Sequence, residues 1–174
     1  MIAATTVATP FGVLLVRAEA GEITGIAWLE AKSPKHTRES RGENGVLAQA
    51  RAWLDDHFAG RFRAVDFPLR AEGTHFQGRV WDAIAAVPRG ETASYGDIAR
   101  VTKSGPRAVG GACGANPICV VVPCHRVLAA GGRIGGYSGG CGVDTKILLL
   151  RHEGVAIPSP ARRSRAATQT SMTL

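Results

Sequence analysis

Cysteine is absent from the first 112 residues of this 174-residue chain, and the four that follow (Cys113, Cys119, Cys124, Cys141) include no CxxC pair. Zinc modules need closely spaced ligand pairs, and secreted disulfide scaffolds are shorter and denser in cysteine, so neither class fits. Cys113, Cys119 and Cys141 are expected to be small buried hydrophobes. Long apolar runs are missing too: none approaches the roughly 20 residues that a membrane-crossing helix requires. The N-terminus has no charged segment leading into an apolar stretch. These absences predict a cytoplasmic protein with no membrane partner. Lysine is scarce, since 17 of the 21 basic residues are arginine, and no internal repeat is visible.

What is present describes a globular chain. Hydrophobic residues make up 45% of it, far from the composition of a disordered segment. The length holds one domain or two small ones with a real core. The formal net charge is +7, unevenly spread. Residues 1–70 carry nine basic and eight acidic side chains, residues 71–157 nine and six, and the last seventeen residues three arginines and no acid. Guanidinium groups suit bidentate phosphate contact, which makes nucleic acid a natural partner for the basic half.

Two lobes follow from the pattern of elements. "TPFGVLLVRAEAGEITGIAWLE" (9–30) reads as a hairpin, with β-rich runs at 13–16 and 23–29 around Ala20-Gly21-Glu22. Residues 31–44 are polar and aperiodic, a surface loop. Val46, Leu47, Ala50, Trp53, Leu54 and Phe58 recur at helical spacing. "FRAVDFPLR" (62–70) reads as a short strand closing a small α+β lobe, 1–70, with a scaffolding role. The second lobe, 71–157, opens on a capping box, Thr74 with Gln77, and an apolar stripe of Phe76, Val80, Ile84 and Val87 that ends at Pro88 and Gly90. Ser94 with Asp97 caps a short helix over 95–102. Ser104 or Gly105 caps a second, with Pro106 in its first turn. Two short helices joined by a tight turn read as a helix-turn-helix. Gly110 and Gly111 weaken the second helix by about 1 kcal/mol each relative to alanine. They serve either close packing against a neighbouring helix or close approach to DNA. Residues 118–122 read as a buried strand, 129–140 as a glycine-rich loop and 144–154 as a closing helix. The tail, 158–174, has a disordered composition.

"VVPCHRV" (121–127) carries the chemistry. Pro123 ends the apolar run and bends the chain, so Cys124 and His125 fall in a turn where strand alternation no longer separates them. A thiol with an ordinary pKa near ~8.5 needs a base or a positive neighbour to act as a nucleophile at neutral pH. His125 can serve directly or through one water, with a carboxylate fixing its tautomer. Glu153 and Asp144 are the only acids in the last fifty residues.

"FQGRVWDAIAAVPRGETASYGDIA", "RAVGGACGANP", "PCHRV", "GGYSGG" and "KILLLRHEG" together resemble, in order and almost continuously over 73–154, the O6-alkylguanine-DNA alkyltransferases. The first seventy residues match only through the "TPFG" hairpin. The resemblance implies an α+β protein with a small ribonuclease-H-like N-terminal lobe and a mostly helical C-terminal lobe containing a helix-turn-helix. It implies direct repair of double-stranded DNA carrying O6-alkylguanine, with O4-alkylthymine as a further candidate substrate. The damaged nucleotide flips out, and its alkyl group moves irreversibly to a cysteine. Carried onto these residues, Cys124 is the acceptor, His125 the water-bridged base and Glu153 its orienter, while Asn116 braces the turn. Tyr95 hydrogen-bonds the leaving guanine at N3. The Ser138 N–H contacts O6, and the Val127 carbonyl contacts the exocyclic amine. Arg107 fills the gap left in the duplex, and Tyr137, Gly110 and Gln77 complete the substrate- and DNA-contacting set.

The same resemblance implies a monomer without cofactor, acting in the cytoplasm and on the nucleoid in a bacterium. Some members carry zinc in the N-terminal lobe, but with no cysteine before Cys113 none is expected here. Some relatives have tryptophan in place of the nucleophile and only bind lesions; Cys124 argues against that. No fused regulatory domain is expected. Two other classes share parts of this pattern. A cysteine hydrolase would turn over an acyl substrate with the same Cys-His-Glu set, and a non-catalytic DNA-binding protein would hold damaged duplex without covalent change.

Overall fold

A computed structural model of the chain describes residues 2–29 and 45–157. The loop expected at 31–44 and the basic tail at 158–174 lie outside the described residues. Three antiparallel strands, β1 (Ile2–Thr9), β2 (Gly12–Glu19) and β3 (Glu22–Trp28), form a meander in that order. Thr9 pairs with Gly12 across the first turn and Glu19 with Glu22 across the second. Helix α1 (Val46–Phe58) covers one face of this sheet. Its Leu47, Ala50, Trp53 and Leu54 meet Val7, Leu14, Val16, Ile23 and Ile26 in one buried cluster. Burial of such side chains stabilises by about 1.5–3 kcal/mol each.

The strand expected over 62–70 is not there. The segment meets the sheet at a single parallel bridge, Ile23 with Leu69, through Ile23 N–H to the Pro68 carbonyl and Arg70 N–H to the Ile23 carbonyl, both at 2.9 Å. Proline offers the ladder no donor, and within 62–70 only Phe67 is buried.

The second lobe is helical. Helix α2 (His75–Ala85) begins with the Thr74–Gln77 capping box, present in both directions. A two-residue strand, β4 (Ala93–Ser94), leads directly into α3 (Tyr95–Thr102), whose Ser94–Asp97 box is also complete. Lys103, in the left-handed region at φ 51°, ends α3. Gly105 is the cap of α4 (Pro106–Gly114), with Pro106 in its first turn. Val80 and Ile84 of α2 pack with Ile98, Ala99, Val109 and Ala112, and the Trp81 indole donates to the Ala112 carbonyl at 2.9 Å. Helix α5 (Val143–His152) closes the lobe. No helix among the described residues is long and apolar enough to cross a membrane.

Residues 118–122 also depart from expectation. The β-branched run makes one parallel bridge to β3, Ile118 with Ile26, and then turns back on itself, with Val122 N–H donating to the Ile118 carbonyl at 2.9 Å. Val120 sits at φ 71°, a left-handed conformation that strains a β-branched side chain. Ile118 and Val120 enter the core of the first lobe, so this turn joins the two lobes immediately before Cys124.

Candidate active site

Cys124 opens a single 3-10 turn, Cys124–Arg126, and is 7% exposed. The next strand, β5 (Val127–Leu128), runs parallel to β4, pairing Ala93 with Val127 and Ser94 with Leu128. This short ladder fastens the start of α3, and so Tyr95, beside the cysteine turn. Asn116 braces the other side. Its amide donates to the Val122 carbonyl at 2.9 Å and to Cys124 Sγ at 3.2 Å, while its oxygen accepts from Ile118 N–H at 3.0 Å.

Behind Cys124, His125 is fully buried and its Nε2 lies 3.0 Å from Glu153 Oε1. The ring N–H is off the ideal line for a hydrogen bond, so the contact is a close polar approach and not a well-aligned bond. Glu153 is the C-cap of α5, whereas Asp144, the other acid considered, is exposed in its first turn. Burial pushes the Glu153 carboxyl up, but hydrogen bonds from Arg126 and His125 and their charges outweigh it and hold it at about 2. Burial pulls the His125 imidazole below its ordinary value, opposed by Glu153. The ring is therefore neutral at pH 7. With Nε2 facing a carboxylate, Nε2 carries the proton and Nδ1 is the basic nitrogen. Nδ1 has no hydrogen-bond partner among the described residues.

Two cavities flank Cys124. A cleft of about 270 Å³ is lined by Tyr95, Gly110, Cys113, Gly114, Cys124, Gly136, Tyr137 and Ser138. A smaller one of about 150 Å³ runs toward the first lobe past Trp28, Asn116 and Cys119. Burial raises the Tyr95 and Tyr137 hydroxyls above their ordinary values, so both remain protonated donors. The glycine loop presses on its neighbours: a Cβ on Gly139 would fall 2.6 Å from the Trp28 ring, and one on Gly140 would fall 2.6 Å from Thr145 Oγ1.

The sequence-derived set therefore divides. Cys124, Asn116, Tyr95, Tyr137, Ser138 and Gly110 line these cavities, with His125 and Glu153 directly behind. Arg107 is exposed at the start of α4 and is not among the residues lining the cleft. The Gln77 side-chain oxygen accepts from Thr74 N–H at 2.8 Å, so it serves the α2 cap. The Val127 carbonyl accepts from Lys146 Nζ at 2.7 Å. Cys113 and Cys119 are only partly buried and Cys141 is exposed, contrary to the expected burial of all three.

Three residues were not singled out in advance. Arg126 donates Nε to Glu153 Oε2 at 2.7 Å and Nη2 to Oε1 at 2.8 Å, a bidentate pair. Lys146 is fully buried, and its Nζ joins the Val127 carbonyl to that of Gly136 at 3.1 Å. Burial brings its ammonium down to about 8. His57 of α1 stacks on Trp53 and stands 3.9 Å from Glu153. Arg126 could have been noticed as the charge inside "PCHRV", and Lys146 as the one cation among the buried positions of α5.

A small sheet-and-helix lobe joined to a helical lobe, with a buried cysteine backed by histidine and glutamate, defines a two-lobed protein of the Cys-His-Glu class. The chain belongs to the 6-O-methylguanine DNA methyltransferase family: residues 2–71 match the model of its ribonuclease-like domain and residues 75–155 that of its DNA-binding domain. The methylated-DNA–protein-cysteine methyltransferase of Mycobacterium bovis is 38% identical over 161 residues, 91% of this chain and 96% of that protein. The crystal structure of the Mycobacterium tuberculosis O6-methylguanine methyltransferase superposes with a TM-score of 0.76 at 37% identity, covering 92% of this chain and 97% of that one. A Mycobacterium tuberculosis OGT solved in complex with DNA gives 0.74 at 41% identity, over 85% and 90%.

Proposed function

We infer that the protein is a methylated-DNA–protein-cysteine methyltransferase that repairs DNA by moving an alkyl group from O6-alkylguanine onto Cys124. The observation that carries this reading is the seating of Cys124 at the floor of a cleft, with an oriented neutral histidine behind it and polar groups in the facing walls. Glu153 holds the His125 Nε2–H, leaving Nδ1 to take the thiol proton, directly or through one water. The Asn116 amide at 3.2 Å stabilises negative charge on Sγ. The thiolate attacks the alkyl carbon, an S–C bond forms, and the C–O6 bond breaks with its electron pair passing to the guanine. Donation from Tyr95 to N3 and from the Ser138 N–H to O6 spreads that charge, as preorganised donors do elsewhere. The Val127 carbonyl, one lone pair of which is taken by Lys146 Nζ, is assigned to the exocyclic amine through the other. The thioether product is chemically stable, so each molecule acts once.

Reaching O6 requires flipping the nucleotide, a cost of a few kcal/mol that is least for a weakly paired base. Helices α3 and α4 act as the helix-turn-helix, α4 enters the minor groove, and exposed Arg107 fills the vacated position. Residues 71–157 form the working domain on a scaffold of 1–70, and the protein acts as a monomer. The test is the intact mass of the protein after mixing with duplex containing one O6-methylguanine. A gain of one methyl, mapped to Cys124, is expected. A methyl on Cys113, Cys119 or Cys141 with Cys124 unmodified overturns the site, and tight binding without mass gain overturns the activity.

A further inference from the structure

Alkyl transfer uses one thiol, yet two face the same cleft. Cys113, in the last turn of α4, lines both of the cavities that Cys124 lines and packs against the buried cluster containing it. The two thiols are close enough that each shifts the titration of the other. Asn116 bridges the two residues: its backbone N–H donates to the Cys113 carbonyl at 3.2 Å, while its side-chain amide reaches the Cys124 sulfur, also at 3.2 Å. Cys119 lines only the smaller cavity, and burial pushes its thiol up to about 12, which keeps it out of thiolate chemistry. Among the described residues these cysteines do not make a metal-holding group. The arrangement is a dithiol open to small molecules.

We propose that Cys113 and Cys124 form a reversible disulfide under attack by a low-molecular-weight disulfide, which masks the alkyl acceptor until a thiol reductant restores it. This rests on the reading of Cys124 as the acceptor. Cys113 is the better placed to attack first. It is the more exposed of the two, and interaction with the Cys124 side chain draws its thiol below the ordinary value, against burial. Its thiolate attacks one sulfur of RSSR and expels RS⁻. Cys124 then gives its proton to His125 and attacks the Cys113 sulfur, expelling the second RS⁻. Two electrons pass from the dithiol to the small disulfide, which becomes two thiols with the two protons released. For a single-use nucleophile the consequence is protective, because a disulfide is recoverable whereas sulfinic acid is not.

The experiment treats the full-length protein with oxidised glutathione, unfolds it in guanidinium chloride containing N-ethylmaleimide to block every free thiol, and analyses the mass without reduction. The expected product has lost two hydrogens, carries maleimide on Cys119 and Cys141 only, and contains an internal link between Cys113 and Cys124 within the single tryptic segment 108–126. Mixed with O6-methylguanine duplex it should take up no methyl, and dithiothreitol should restore uptake. Cys124→Ser, which lacks the resolving thiol, should trap a glutathione adduct on Cys113 in place of the internal link, and Cys113→Ser should form neither. A Cys119–Cys124 link, or a stable glutathione adduct on Cys124 of the unaltered protein, overturns the proposal while leaving the transfer reading intact. Methyl uptake by the fully linked form would instead overturn Cys124 as acceptor.

Discussion

The carboxylate of Glu153 meets Arg126 through both oxygens and His125 through one, with all three side chains largely withdrawn from water. Replacing it by an amide keeps the shape and removes the charge that sets the imidazole tautomer. Glu153→Gln should slow transfer by about a hundredfold or more, the scale of a lost general base. It should also destabilise the fold by about 3 kcal/mol, because the Arg126 guanidinium is left buried without its counter-charge. Affinity for lesion-containing duplex should stay within a few-fold. Single-turnover kinetics, thermal unfolding and a binding titration check the three effects separately. Unchanged kinetics would mean that His125 is oriented by another group.

At the level of elements, caps and turns hold the cleft open. Thr74→Ala removes one half of the α2 capping box, remote from Cys124, and should lower stability by about 1 kcal/mol in a denaturant titration, with transfer unaffected. Gly140 sits at φ +57° and has Thr145 against its missing Cβ. Gly140→Ala should therefore displace the loop that carries Ser138, slowing transfer on both duplex and free-base substrates. Arg107→Ala should behave differently. On the proposed reading its exposed side chain acts on the duplex, so repair of a well-paired lesion should slow while the reaction with free O6-benzylguanine is almost unaffected. A pair of second-order rate constants for each variant decides the matter, and equal losses for Arg107→Ala would reduce that arginine to a structural role.

For the whole molecule, pH stability follows from what the interface of the two lobes buries. Burial holds the His57 imidazole down at about 4, below the ordinary 6.5. Between those values the unfolded chain binds a proton that the folded one does not, so stability is full above about pH 6.5 and falls as pH drops toward 4. At 1.36 kcal/mol per unit this amounts to about 3 kcal/mol. Glu153 adds a second loss between its ordinary 4.5 and about 2, where the folded state must give up its carboxylate. Denaturant midpoints measured from pH 8 to 3 should fall in that order, and His57→Phe should shrink the first step, the remainder belonging to the likewise lowered His125. A flat profile from pH 7 to 4.5 would mean that His57 titrates normally in the folded protein.

Much of this protein could be read from contiguous residues. Both capping boxes, the proline and glycine stops, the helical stripe of α1 and the turn at Cys124 are local signals, carried by side chains within four residues of one another. Local reading failed where tertiary contact outvoted propensity. The β-branched run at 118–122 folds into a turn because Ile118 and Val120 are needed in the first lobe's core, and 62–70 supplies one bridge and one buried phenylalanine in place of a strand. β1 went unread, since Ala3, Ala4, Thr5 and Thr6 have little apolar alternation until Val7. The sequence by itself determined the capped helices of the second lobe and set Cys124 and His125 side by side in a turn, with two acids as candidates to face the histidine. Only the tertiary structure decided that Glu153 and not Asp144 faces His125, that Lys146 is buried on two carbonyls, and that Cys113 meets Cys124. The physical reason is range: a cap is satisfied within one turn of helix, whereas a buried charge or thiol takes its partner from whichever distant segment the packing brings against it.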